Sequence, residues 1–324
     1  MILSGDIGAT KCNLALFDVR GGKLQSLALH RFISNRFSGL DHVLREFLRE
    51  TRTQVRVAAF GAAGPVIDDC VRGTNLPWVI DGRALAATFG FERVVLLNDL
   101  EATGYGLAWL EPGDLLTLHP GRPVREANQA IIAPGTGLGE AILFWDGSRH
   151  VVSPTEGGHA DFAPRTEEEI ELLRFLKKRH RSVSAEHVVS GPAFRALHEF
   201  LDPSVRHVSF DDPAADPAPE ITRRAREGSC GVCGKAVAMW IAACAAEAGN
   251  LALKALARGG LYLAGGIVPK ILDAMRGDAF LRAFREKDCF EDLLAQIPVH
   301  VVLKEDLPVL GAAARAASLA GLLP

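Results

Sequence analysis

An α/β fold is predicted for this chain of 324 residues by three observations. Short apolar segments alternate with stretches of helical period, the apolar segments run out into glycine turns or polar pairs, and one hairpin design recurs about 130 residues after its first appearance. Strands alternating with helices imply a sheet covered by helices, whose polar strand ends collect at one edge.

The first element is "GDIGATKCNLAL", Gly5 to Leu16. Ile2 and Leu3 begin a strand, and Cys12, Leu14 and Leu16 alternate with their neighbours afterwards, so the segment reads as a hairpin. Its turn is neither a Walker A loop, which needs four residues before Gly-Lys, nor a G-x-G-x-x-G fingerprint opening a helix. Gly8 allows backbone N–H groups to approach an anion, Asp6 is placed to face a cation, and Thr10 and Lys11 offer donors. An ordinary tight turn with a solvated aspartate is the competing reading.

Leu40 to Arg49 has helical period; Val55 to Val66 is an apolar strand with a glycine-rich end; Val94 to Asp99, "VVLLND", is a second such strand. Asn98 and Asp99 stand at its carboxyl end, before a helix over Leu100 to Trp109 that Asp99 would suit as N-cap. From Ala130 to Gly147, two apolar strands flank Gly135-Thr136-Gly137-Leu138-Gly139, repeating the first hairpin. Two phosphate-type hairpins in successive halves suggest two similar α/β units with a nucleotide between them. A helix from Thr166, an exposed and mobile Pro/Asp-rich loop over Asp202 to Glu220, and an Ala-rich helix follow. "LYLAGGIVPKIL", Leu261 to Leu272, is a strand, a Gly265-Gly266 turn open to a flat ring, and a helix with Pro269 in its first turn. A last strand, "PVHVVL", and a helix after Gly311 close the chain.

The formal net charge of −3 provides no basic field for a phosphate backbone, and "KKRHR" at Lys177 to Arg181 reads as a solvated helix end. Met1-Ile2-Leu3-Ser4 meets the first strand too early for a signal peptide, so the six cysteines are expected as cytoplasmic thiols. Cys230-x-x-Cys233 is half of a zinc site, but no second pair of suitable spacing follows, and structural zinc is not expected. The apolar stretch from Ala236 contains Glu247 and Lys254 and reads as a buried helix, not a membrane span.

"GDIGATK", "LLNDLEATGYGL", "APGTGLGEA", "SPTEGGHADFAP", "SAEHVVSGP" and "LAGGIVPK", in this order, resemble the bacterial glucokinase family, outside the ROK group, over Leu3 to about Gly321. The resemblance implies an actin-like ATPase and sugar-kinase fold, with two ribonuclease H-like domains closing around a central cleft that holds ATP. It implies a small domain over 1–110 with 301–324 and a large one over 111–300. The implied activity is ATP-dependent phosphorylation of D-glucose to glucose 6-phosphate, with ATP and Mg²⁺ as cofactors, in a cytoplasmic homodimer that binds neither nucleic acid nor membrane.

By the same resemblance Asp99 is the catalytic base. Asn98, Glu156, His159 and Glu186 bind sugar hydroxyls, with Thr74 and Asn75 near the sugar. Asp6, Gly8, Ala9, Thr10 and Lys11 form the first phosphate loop, Asp6 reaching the metal through water. Gly135, Thr136 and Gly137 form the second, and Gly265 and Gly266 the adenosine loop. The residue types suit the chemistry. A sugar hydroxyl needs a carboxylate to accept its proton as the γ-phosphoryl group transfers, and a ring of hydroxyls needs several fixed donors and acceptors.

Two positions depart from the family pattern: Ala9 stands where a second glycine is usual, and Lys11 where asparagine is common. Glu156-x-x-His159 also has the look of a metal pair, but lacks a third ligand and is not H-E-x-x-H. The alternatives are a kinase for another hexose or amino sugar, a ROK-type kinase, which would carry a clustered-cysteine zinc motif, or a non-catalytic sugar-sensing regulator. The regulator would need a helix-turn-helix ahead of the first hairpin, where none is read.

Overall fold

The structure is a computed structural model that describes residues 1–72, 78–211 and 216–323. The chain divides into two compact units, Met1–Asp114 with Lys304–Pro324, and Leu115–Leu303.

In the first unit, β1 (Ile2–Ile7) pairs antiparallel with β2 (Lys11–Arg20), and β2 with β3 (Lys23–Ile33). On its other side β1 runs parallel to β4 (Val57–Ala62). All six residues of β4 are buried, as a central parallel strand covered on both faces requires. Helix α1 (Leu40–Thr51) links β3 to β4, and buries Leu40, Val43, Leu44 and Phe47, a spacing that lines one helical face. A small antiparallel sheet of β5 (Val66–Ile67), β6 (Cys70–Arg72) and β7 (Val79–Asp81) follows, then α2 (Gly82–Phe89), whose N-cap Asp81 accepts from the Ala84 amide. Strand β8 (Arg93–Asn98) completes the large sheet in the order β3-β2-β1-β4-β8 and leads directly into α3 (Asp99–Gly106).

The C-terminal helix, Leu307–Leu319, packs on α3 through glycines. A Cβ at Gly311 would collide with the carbonyl oxygen of Ala102, and one at Gly106 with Leu307. The close crossing fixes the helix whose first residue is Asp99. Gly311→Val is therefore expected to lower the stability of this unit by about 1–3 kcal/mol through overpacking. Denaturant unfolding followed by circular dichroism measures the change, and an unaltered midpoint would contradict the crossing.

The second unit repeats the plan. Its strands are β9 (Leu115–His119), β10 (Gln129–Pro134), β11 (Leu138–Trp145), β12 (His150–Thr155), β13 (Gly260–Leu263) and β14 (Val299–Val302), ordered β12-β11-β10-β13-β14-β9. Strands β10, β13 and β14 are parallel, β11 and β12 antiparallel, so both units share a hairpin, a third antiparallel strand and two parallel neighbours. This is the ribonuclease H-like order; β9 is an added antiparallel edge.

Around that sheet lie α4 (Glu167–Leu176), α5 (Ala193–Leu201), α6 (Ala218–Arg226), α7 (Gly231–Ala255), α8 (Leu272–Met275), α9 (Asp278–Arg285) and α10 (Glu291–Leu294). Helix α7 is long and apolar enough to cross a membrane, but most of it is buried inside this unit. Its Trp240 is fully buried, stacks on Phe194 at 5.2 Å and donates to the Ser190 carbonyl at 3.0 Å. That bond ties the segment carrying Glu186 to the core helix.

Three expectations change. The Asp202-to-Glu220 stretch is not uniformly exposed, because Phe210 is buried against the core. The C-terminal helix starts at Leu307, ahead of Gly311, since Pro308 suits its first turn. After Gly265-Gly266 the chain makes a 3₁₀ turn over Val268–Ile271 before α8 begins.

Candidate active site

Asp6 stands one residue before the end of β1 and Asp99 one residue beyond the end of the parallel strand β8, with β4 between the two strands. Burial pushes the Asp6 carboxyl up to about 6, and the like charge of Asp99 adds to the rise; a weak bond from Asn13, 3.4 Å, opposes it. The N-cap of α3 is Asn98 and not Asp99: the Asn98 Oδ1 accepts from the amides of Leu100 and Glu101, while its Nδ2 donates to the Gly64 carbonyl at 3.2 Å. Asp99 thus stands at the first helical position, where the exposed amides of a helix start favour its negative charge, and its Oδ1 accepts from the Leu100 amide at 2.9 Å. In the first hairpin turn the Gly8 amide donates to the Lys11 carbonyl at 2.9 Å, and the Ser34 hydroxyl donates to the Gly8 carbonyl at 2.7 Å. Ala9, Thr10 and Lys11 lie on the surface of the turn.

In the second unit the hairpin turn between β10 and β11 is closed by a Gly135 amide bond to the Gly137 carbonyl at 2.8 Å. Glu186 is locked onto this turn: its carboxylate accepts from the Leu138 amide at 2.8 Å and leaves no room for a side chain at Gly137. The Gly191 amide donates to the Gly135 carbonyl at 2.8 Å, securing the other side. Gly265 has a φ of +83°, and a Cβ there would strike the Pro134 carbonyl, so the Gly265-Gly266 turn lies against the same hairpin.

The Glu156-to-Asp161 segment joins this assembly by backbone bonds, Ala185 amide to Ala160 carbonyl and Phe162 amide to Val183 carbonyl, both 2.9 Å. Gly157 and Gly158 sit so tightly on Glu140 and Leu138 that neither has room for a Cβ. His187, packed on His180 at 4.0 Å, is held below the usual histidine range by burial and by His180; Glu186 opposes and His159 adds to that shift. His159, Glu186 and His187 therefore share one electrostatic neighbourhood.

A glucokinase family model matches residues 3–319. The chain belongs to the glucokinase family. A glucokinase of Nostoc sp. is 39% identical, covering 98% of this chain and 99% of the relative. The crystal structure of a glucokinase from an Antarctic psychrotroph superposes with a TM-score of 0.85 at 30% identity, covering 98% of both chains. Glucokinase from Balamuthia mandrillaris in complex with glucose shares the fold, with a TM-score of 0.81 at 20% identity, covering 97% of this chain and 93% of that one. The fold is that of the actin-like ATPase and sugar-kinase superfamily, and the activity of this glucokinase-family enzyme is ATP-dependent phosphorylation of glucose.

Within the first unit, the structure brings Asp6 and Asp99 together. Within the second, it joins Glu186, Gly135 to Gly137, Gly265 and the Glu156-to-His159 segment. Thr74 and Asn75 lie outside the described residues. Sequence reasoning overlooked Glu140, the glutamate of "GTGLGEA". It is buried beneath Gly157, and burial, with Glu247 nearby, lifts its carboxyl to about 7 against the opposing charge of Lys254. A charged residue inside an otherwise apolar strand was the available signal. Sequence reasoning also left Cys230 and Cys233 without further ligands, whereas the fold sets two histidines beside them.

Proposed function

We propose that this enzyme transfers the γ-phosphoryl group of ATP to the 6-hydroxyl of D-glucose, with Asp99 accepting the hydroxyl proton. The observation that carries the reading is the pairing of two carboxylates at the ends of parallel strands, Asp6 driven toward neutrality by burial and by Asp99. Mutual repulsion of this kind separates the roles of two acids. Asp99, the first residue of the helix after β8, would act as the base.

The same observation tests the fit of a divalent cation. Two neighbouring carboxylates, one of them desolvated, are costly without positive charge beside them, and Mg²⁺ prefers carboxylate, water and phosphate oxygens, so the residues present suit it. Asp6 would hold Mg²⁺ through its water shell, and the ion, when bound, neutralises phosphate charge. Gly8 to Lys11 and Gly135 to Gly137 would receive the phosphates on backbone amides, and Gly265-Gly266 the adenosine. Asn98, Glu156, His159 and Glu186 would bond the sugar hydroxyls, with Asn75 near the sugar. Ala9 leaves the turn bonded as described, and Lys11 adds a positive charge to it. The family resemblance supports a cytoplasmic homodimer without nucleic-acid or membrane partners; light scattering tests the dimer.

The experiment is ATP- and Mg²⁺-dependent phosphorylation of glucose, mannose, fructose, glucosamine and N-acetylglucosamine in a coupled assay. Glucose is expected to show the highest kcat/KM, because a site built to bond each hydroxyl strongly rejects a sugar that lacks one or misplaces it. Faster turnover of another sugar would overturn the assignment of glucose.

A further inference from the structure

His198, His207, Cys230 and Cys233 converge in the second unit, and none of them is assigned to the kinase chemistry. Their donor atoms all lie within 4.8 Å of one another. His198, in the last turn of α5, is completely buried, yet neither ring nitrogen has a hydrogen-bond partner. A buried polar group left in that state is destabilising, and such orphans in folded proteins call for an explanation. His207 follows in the loop after α5, with its Nε2 only 3.2 Å from the Cys233 Sγ. Cys230 is the N-cap of α7, its sulfur accepting from the Cys233 amide at 3.4 Å, and Cys233 is buried one turn into the helix. The two imidazoles meet at 5.2 Å and 69°, both resting edge-on against Phe210, so their planes are held by packing.

We propose that these four side chains form a structural zinc site. The donor set selects the metal: two sulfurs and two imidazole nitrogens in a compact cluster suit tetrahedral Zn²⁺, and carboxylate-seeking ions such as Mg²⁺ do not compete for it. The distances are close to those required. Zn–S bonds near 2.3 Å and Zn–N bonds near 2.0–2.1 Å give a tetrahedron with donor-to-donor edges of about 3.3–3.8 Å. The charges balance as well. Two thiolates, two neutral imidazoles and one Zn²⁺ sum to zero, so the ion enters the interior without net charge, releasing the two thiol protons to solvent. All four positions are filled by protein, which makes the site closed and structural, with no position left for a substrate.

The mechanical consequence follows from where the ligands sit. Both histidines come from α5 and the loop behind it, and both cysteines from the start of α7. A metal here clamps the loop after α5 onto the start of the core helix, in addition to the Trp240 bond with Ser190. The Cys-x-x-Cys spacing is that of half a zinc knuckle, and the fold supplies the other half from residues more than twenty positions upstream. This inference is independent of the kinase assignment, because its readouts are metal content and spectra.

The full chain, purified under reducing conditions without added metal, is expected to contain about one zinc per chain by inductively coupled plasma mass spectrometry. Replacement by Co²⁺ should produce the intense visible absorption of tetrahedral cobalt with a thiolate charge-transfer band in the near ultraviolet. Cys233→Ser and His198→Phe should each reduce zinc content about tenfold, the phenylalanine keeping the packing volume of the imidazole. Less than about a tenth of an equivalent, after incubation of the reduced wild-type chain with Zn²⁺ and gel filtration, would overturn the site. Full zinc content in His198→Phe would overturn the four-ligand assignment. If the variants fail to fold, the cobalt spectrum of the wild-type chain decides, since a spectrum without thiolate charge transfer also overturns the site.

Discussion

Asp99→Asn is expected to lower kcat by a factor on the order of 10² or more, while the affinity for glucose changes little. Asparagine keeps the shape of the side chain and still accepts from the Leu100 amide, the bond Asp99 makes at the start of α3. The helix is capped independently by Asn98. What disappears is the basic oxygen that accepts the hydroxyl proton as the phosphoryl group transfers. Steady-state kinetics with glucose titrations, and calorimetric glucose binding to the variant, separate the two terms. Turnover close to wild type would remove Asp99 as the base. A parallel loss of binding would assign it a role in holding sugar instead.

Asp6→Asn is expected to stabilise the ligand-free protein at pH 8 by about 2–3 kcal/mol while reducing turnover at limiting Mg-ATP by about an order of magnitude. The sign follows from the direction of the shift. Burial and Asp99 raise the folded-state carboxyl of Asp6 from its ordinary 3.8 to about 6, so the folded chain holds that proton more tightly than the unfolded chain. The group's contribution to stability is fully present below about pH 3.8 and is lost as pH rises through about 6. Above that, the ionised, buried carboxylate costs about 3 kcal/mol, which the asparagine does not incur. Urea unfolding at several pH values should show the variant and wild type converging near pH 4 and diverging toward pH 8. A wild-type stability curve flat across pH 4 to 7, with no gain in the variant, would contradict the raised Asp6 carboxyl. Unchanged dependence on Mg²⁺ would remove Asp6 from the metal.

Much of this arrangement was legible before any coordinates. "GDIGATKCNLAL" announced a hairpin because period-two alternation on both sides of a glycine turn leaves little else. "VVLLND" announced an apolar strand running into two polar residues, and β8 ends at Asn98 with Asp99 next in the chain. The recurrence of the hairpin as "APGTGLGEA" signalled two related units, and the repeated strand order bears it out. Other features depended on contacts that no local pattern encodes. Asn98 and Asp99 are equally good caps by composition, and only the backbone geometry assigned the cap to Asn98. Glu186 is assigned to the sugar by resemblance alone, and only the fold shows it pressed against Gly137.

The amino-acid order by itself determined the elements, the two hairpins, the carboxylate at the end of β8 and the family to which the chain belongs, because those are carried by residues near one another along the chain. Tertiary structure alone decided three things: which carboxylates become neighbours, which glycines must stay bare, and what stands beside Cys230 and Cys233. The physical reason is common to all three. Burial, like-charge repulsion and metal coordination act over a few ångströms of space, and residues as far apart as His198 and Cys233, or Asp6 and Asp99, enter that range only when sheets and helices close over them.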